Sequence, residues 1–271
     1  MIFVRDKGQM CNNILQYAHM YAWGREHGQK TVSMRFAYKY QYFNICHTKY
    51  HCFPVYAFAK YAACFGLIKT MSFDELMGEE EENRRLQALS GKSFMVEGWQ
   101  VRFYGLFLKY KREILQLFAF NKDIADGVEK YIQANSPNAV IRIGVHIRRG
   151  DYKTWCGGKY FFSDEVYVAY IRKCLEIYGK DSTTVCICTN DRSLDKEYYR
   201  RHLGDVGLLF PQGNPAEDLC LLSRCDYLIG APSTFSLVAS MYRDVPLCWM
   251  EEADAETMRF DRFDNLFRNI H

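Results

Sequence analysis

The octapeptide VHIRRGDY at residues 145–152 sets His146, Arg148, Arg149 and Asp151 at the end of an apolar run. A guanidinium stays charged at every physiological pH, and its planar fork can give a phosphate two parallel hydrogen bonds. The pair therefore has three readings: an exposed turn, an adhesion tripeptide at Arg149-Gly150-Asp151, or a site for a diphosphate. Neighbouring residues of an extended strand point to opposite faces, so one arginine is expected to face a ligand while the other pairs with a carboxylate. His146 shares a face with Arg148; it either lines the same pocket or is a hydrogen-bonded structural histidine.

Two other segments carry matching chemistry. TNDR at 189–192 supplies Asp191, and GAPSTFS at 230–236 supplies Ser233, Thr234, Phe235 and Ser236. Hydroxyls beside the free N–H groups of a helix start make an anion cradle. Ordinary N-capping is their plainer use. Asp218, in AEDL, is either an acceptor for paired N–H groups or a helix-start carboxylate favoured by the dipole.

The elements that would position these residues follow from pattern. From residue 139 onward, the β-branched runs AVIRIGVHI, TTVCICTN, VGLLF, DYLIGA and VPLCWM alternate with helical segments at 164–179, 194–204, 216–225 and 234–244. That alternation indicates a parallel sheet covered on both faces, with ligands outside the carboxyl ends of its strands. All three polar clusters fall at such ends. The chain opens β-α-β: MIFVRD, a helix with Ile14, Tyr17, Ala18, Tyr21 and Ala22 on one face, then KTVSMRF. SPN at 136–138 is the strongest boundary signal. The expected organisation is α/β, two Rossmann-like domains spanning 1–136 and 137–271 with a cleft between them, the last helix packing back on the first domain. GEEEENRR at 78–85 reads as a solvated loop or helix start.

With 49% apolar and 25% charged residues the chain is globular, and a net charge of +3 gives no reason to expect nucleic acid as a partner. Eleven cysteines and an opening without a long apolar core are read as reduced thiols in the cytoplasm, which argues against extracellular adhesion. No stretch reaches the ~20 apolar residues of a spanning helix. Residues 36–65 interleave aromatics with Lys39, Lys49 and Lys60. Core packing is the default for such a run; stacking of acceptor sugars, or peripheral contact with an anionic inner membrane face presenting a lipid-linked glycan, are the functional alternatives. Cys46, His47, His51 and Cys52 lack the separated pairs of a zinc site, and no metal is expected.

HIRRGDY resembles the HxRRGDY signature of fucosyltransferases that use GDP-fucose, most closely the α1,2-fucosyltransferases of a glycosyltransferase family 11-like group. NNILQYA at 12–18 resembles that family's opening, and EDLCLLSRCDYLIGAPSTFSLVAS resembles its later block. The three occur in family order. The chain departs from the pattern at Cys11, Asn190-Asp191, Ala231-Pro232 and Leu237-Val238.

The resemblance implies a GT-B-type, inverting enzyme without cofactor or metal. It would move fucose from GDP-fucose, held by the C-terminal domain, to a sugar hydroxyl of a glycan acceptor. Arg148 or Arg149 would neutralise the leaving β-phosphate. Asp218 and Asp191 would contact base or ribose; Asn12 and Asn13 would bond donor or acceptor across the cleft, or cap their helix. Asp151 and Glu97 are the candidate proton acceptors, and Trp99 is a candidate for the acceptor groove. The rival readings are another GDP-sugar, another fucosyl linkage, or a nucleotide-sugar-binding protein without catalysis. Oligomeric state is open.

Overall fold

A computed structural model describes residues 1–74 and 78–270. The chain divides into two units, Met1–Asn121 and Lys122–His271.

The first unit is built on β1 (Ile2–Arg5), α1 (Met10–Glu26), β2 (Thr31–Ser33), α2 (Phe53–Cys64), β3 (Lys69–Ser72), α3 (Glu79–Leu89), β4 (Phe94–Glu97), α4 (Tyr104–Lys109) and α5 (Lys111–Leu117). Its four strands are parallel in the order β2-β1-β4-β3. Consecutive Ile2, Phe3 and Val4 are all buried, as expected where a parallel strand is covered on both faces. The helix face read from Ile14, Tyr17 and Ala18 is buried, yet α1 also buries Asn13, Gln16 and His19. Gln16 earns its place by bridging the strand-to-helix turn, donating to Lys7 O at 2.7 Å and accepting from Lys7 N at 3.2 Å. The glutamate run forms the first turn of α3, where carboxylates oppose the helix dipole favourably.

The second unit comprises α6 (Lys122–Asn135), β5 (Ile141–Ile147), α7 (Asp164–Tyr178), β6 (Thr183–Thr189), α8 (Lys196–Leu203), β7 (Gly207–Leu209), α9 (Pro215–Leu222), β8 (Tyr227–Gly230), α10 (Thr234–Met241), β9 (Leu247–Trp249) and α11 (Phe263–Phe267). All five strands are parallel, ordered β7-β6-β5-β8-β9, so strand order reverses between β5 and β8. Its core gathers Ile143, Val145, Ile147, Tyr167, Ile171 and Val185.

The division between the units differs from the expected boundary. The division falls at 121/122, not 136/137, because α6 buries Val128 and Ile132 against its own unit. Glu129 on α6 meets Arg224 at 2.7 Å, and Ser136 O accepts from Arg142 at 3.2 Å, so the SPN segment is tied down rather than a linker. The last helix packs on α10 in its own unit, with Phe263 and Phe267 buried there. All eleven cysteines are unbridged; Cys186 and Cys188 lie two apart on β6, both buried.

Candidate functional site

Three loops meet at the carboxyl edge of the second sheet, and specific bonds join them. After β5, Arg149 N donates to Asn190 Oδ1 at 2.8 Å, and Asn190 Nδ2 returns to Arg149 O at 3.3 Å, which clamps the β5 loop to the β6 loop. Tyr152 Oη donates to Pro232 O at 2.5 Å, which ties the β5 loop to the turn opening α10. His146 stacks on Phe235 with ring centroids 4.7 Å apart. The pairing of His146 with residue 230 requires glycine there, where a Cβ would lie 2.9 Å from His146 O. Gly150, at φ +71°, turns the chain as only glycine does readily.

The two arginines have different fates. Arg149 is 12% exposed; its Nη2 lies 2.5 Å from Asp164 Oδ1, and its guanidinium sits over the rings of Phe161 and Tyr167. Asp164 also accepts from Tyr199 Oη at 2.7 Å. Arg148 meets Asp151, whose carboxylate is 62% exposed, and lies 5.6 Å from the Tyr152 ring centroid. An exposed ion pair of that kind is weak and readily exchanges a partner. Arg149 is thus anchored through Nη2, with Nε buried and unpartnered, whereas Arg148 is held by a carboxylate that is mostly exposed.

His146 is buried, and burial aided by the nearby Arg148 charge pushes its pKa down to about 3. The imidazole is neutral near pH 7 and too weak a base for proton abstraction; stacking on Phe235 is its visible work. Ser233 caps α10 by accepting from Phe235 N at 3.2 Å. Ser236 is fully buried, donates to Ser233 O at 3.1 Å and accepts from Trp249 Nε1 at 3.4 Å, so it braces the turn from inside. Thr234 and Phe235 remain half-buried at the helix mouth.

Asp191 is engaged locally: Oδ1 accepts from Ser193 N and Oγ at 2.8 and 2.6 Å, which holds its pKa below the usual value. Asp218 is different. Asn214 and Glu217 form the capping box of α9, so Asp218 does not cap the helix. Its Oδ1 is buried without a hydrogen-bond partner, and burial, with the charge of Glu217, raises its pKa to about 7. A carboxylate desolvated this way is built to receive donors. A cavity of about 280 Å³ lies beside the clamp, lined by Arg149, Gly150, Lys153, Phe161, Asn190 and Asp191.

In the first unit, Asn13 is fully buried on α1 and donates to Tyr40 Oη at 3.2 Å, so its amide serves the fold of its own unit. Asn12 is half-buried beside Gly8; Gln9 occupies the N-cap, so neither asparagine caps the helix. Glu97 accepts from Arg5 at 2.7 Å. Trp99 lies under Arg102, 4.0 Å from guanidinium carbon to ring centroid. His51 Nε2 accepts from Ser33 N at 2.8 Å and Cys46 Sγ donates to Tyr40 O at 2.8 Å, structural uses for two of the four residues weighed as metal ligands.

Pattern reasoning passed over Asp164, Tyr199 and the bridging roles of Asn190 and Tyr152. Asp164 reads as a helix-start carboxylate because nothing in its spacing points back to Arg149.

The profile of Glycosyl transferase family 11 matches residues 68–244. Galactoside 2-alpha-L-fucosyltransferase Sec1 of Mus musculus is 28% identical over 166 residues, covering 54% of this chain and 43% of that protein. Galactoside alpha-(1,2)-fucosyltransferase 2 of Gorilla gorilla gorilla is 28% identical over 163 residues, covering 54% and 46%. The chain thus spans less than half the length of these curated relatives. Among solved structures, a mutant of Arabidopsis thaliana FUT1 in complex with GDP superposes with a TM-score of 0.67 at 13% identity, over 96% of this chain and 73% of that one. NodZ alpha-1,6-fucosyltransferase soaked with GDP-fucose gives 0.58 at 12% identity, over 96% and 98%. These structures share the GT-B-type α/β fold, and the family profile covers well over half of the sequence. The chain belongs to glycosyltransferase family 11.

Proposed function

We propose that the chain transfers fucose from GDP-fucose to a hydroxyl of a galactoside, forming an α1,2 linkage with inversion at C1. The observation that carries this reading is the contrast between an anchored Arg149 and an Arg148 held by a mostly exposed carboxylate beside Tyr152, the residue that holds the mouth of α10. A diphosphate bound there would draw Arg148 from Asp151 and lie against the Ser233-capped turn that opens α10. As the acceptor hydroxyl attacks C1 and the bond to the β-phosphate oxygen breaks, negative charge grows on that oxygen, and a preplaced guanidinium stabilises it. No metal is required for that stabilisation. Asp218 would accept the guanine N1–H and N2–H₂ pair, matching a buried oxygen that lacks a donor. Family membership and the two galactoside α1,2-fucosyltransferases support the choice of donor and acceptor.

Incubation of the full chain with labelled GDP-fucose and lactose, followed by linkage analysis, tests the reading. An α1,2-fucosylated product that forms equally with EDTA is expected. Transfer from another GDP-sugar, another linkage, EDTA-sensitive turnover, or GDP-fucose binding without any turnover would each overturn the corresponding part.

A further inference from the structure

Helix α2 exposes most of its aromatic residues. Ala59 and Ala62 are buried against Phe3, Val32, Met34, Ile68 and Met95, with Val55 and Tyr56 packed half-buried on the same cluster. Its outward residues are aromatic: Phe53 is 64% exposed, Phe58 64% and Tyr61 57%, followed by Phe65 at 77% and Leu67 at 80%. Residues 58, 61 and 65 stand at i, i+3 and i+7, so they form one stripe. Tyr38, 44% exposed, extends the patch by packing on Tyr56 with centroids 4.4 Å apart. An ordinary surface helix buries the large residues and exposes the small ones; a contiguous exposed apolar patch marks an interaction surface.

The segment that carries the patch is cationic. Residues 27–73 contain no aspartate or glutamate and six cations: Lys30, Arg35, Lys39, Lys49, Lys60 and Lys69. That stretch alone carries a formal +6, against +3 for the whole chain. Lys49, Lys60 and Lys69 are exposed, and none of them has an ion-pair partner among the described residues. Lys60 Nζ instead lies 6.0 and 5.9 Å from the ring centroids of Tyr56 and Tyr61. Exposed aromatics with Lys60 among them, and exposed Lys49 and Lys69 on the flanking segments, match the face that amphipathic helices present to a bilayer, with rings at the headgroup boundary and ammonium groups on anionic headgroups. A second copy of the chain is the poorer fit, since a two-fold contact would set this cationic patch against itself.

We infer that α2 and its flanks dock the protein on an anionic lipid surface. The inference goes beyond the transfer reaction and is independent of it. Sedimentation of the full chain with vesicles tests it, comparing pure phosphatidylcholine with vesicles containing about one part in three phosphatidylglycerol. Binding to the anionic vesicles that weakens in high salt is expected. Phe58→Asp and Phe65→Asp should each reduce partitioning at least about tenfold. Lys60→Glu and Lys69→Glu should each reduce it about fivefold or more and erase the preference for anionic lipid. All four positions are exposed, and unchanged circular dichroism melts would show that the variants fold. The inference is overturned if the wild type stays in the supernatant with both vesicle types, or if the variants bind as it does. A wild-type dimer that Phe65→Asp converts to monomer, with no vesicle binding, would assign the face to self-association instead.

Discussion

Arg149 and Asp164 form the fixed ion pair of the site: 2.5 Å apart, 12% and 27% exposed, with the carboxylate held in turn by Tyr199 Oη at 2.7 Å. Its neighbour Arg148 is held by Asp151, 62% exposed, and lies 5.6 Å from the Tyr152 ring centroid. One arginine is therefore anchored in the loop, and under the proposed reading the other serves the ligand.

That division predicts opposite signatures. Arg148→Lys should lower kcat about 10²–10³-fold, the loss of one transition-state donor, with stability within about 0.5 kcal/mol of wild type. Asp164→Asn, which strands a mostly buried guanidinium, should cost about 2–3 kcal/mol of stability by urea denaturation. Stability loss at Arg148 and none at Asp164 would reverse the assignment.

Asp218 should make nucleotide binding pH-dependent. Its pKa in the free protein is about 7, and a guanine N–H pair requires the ionised form. GDP affinity should therefore rise with pH, being about tenfold weaker at pH 6 than at pH 8, with proton release on binding near pH 6.5 measurable by calorimetry in buffers of different ionisation enthalpy. Asp218→Asn should flatten the profile and relax the preference for GDP over other nucleoside diphosphates.

Tyr152→Phe removes the donor to Pro232 O and leaves that carbonyl unpaired at the start of α10. A loss of about 1–2 kcal/mol is expected, together with a raised KM for GDP-fucose and a smaller effect on the acceptor KM. Unchanged values for both would show that the bond does not hold the turn.

Asp6 follows β1 and is fully buried with Ser33 Oγ as its side-chain donor; burial raises its pKa to about 7, against 3.8 for the free side chain. Below pH 4 the folded and unfolded chains both hold this proton, and between 4 and 7 only the folded chain does. The stabilising contribution is therefore complete at low pH and is lost as pH rises to 7, by up to about 4 kcal/mol. Asp218 acts in the same direction. The buried histidines act oppositely, His146 and His51 being held by burial at about 3 and 4, so the wild-type slope is the sum of both. Relative to wild type, Asp6→Asn should tilt the melting temperature upward with pH between 5 and 8; an unchanged slope would exclude Asp6 as a source.

The second half of the chain was legible because its strands are apolar runs and its helices carry clear stop signals: all five expected strands and four helices form. β3 and β4 were not read, since each is four residues long and β3 lies at the sheet edge without an alternating pattern. The three site loops were visible as polar residues at strand ends. Which arginine was anchored was not, because the answer lies in Asp164, fifteen residues on and past a turn where Cys156 adopts φ +50°. The aromatics of α2 also defied expectation: Ala59 and Ala62 fill the space beneath that helix, leaving the phenylalanines outside.

The missing side chain at Gly230 has a consequence for reading variation in this protein. Even a single added methyl would wedge against the histidine backbone and push β8 from β5 where the two strands pair. A mutational scan would score position 230 as indispensable although it offers a substrate no functional group; intolerance there would report crowding between β8 and β5, and it should not be mistaken for chemistry.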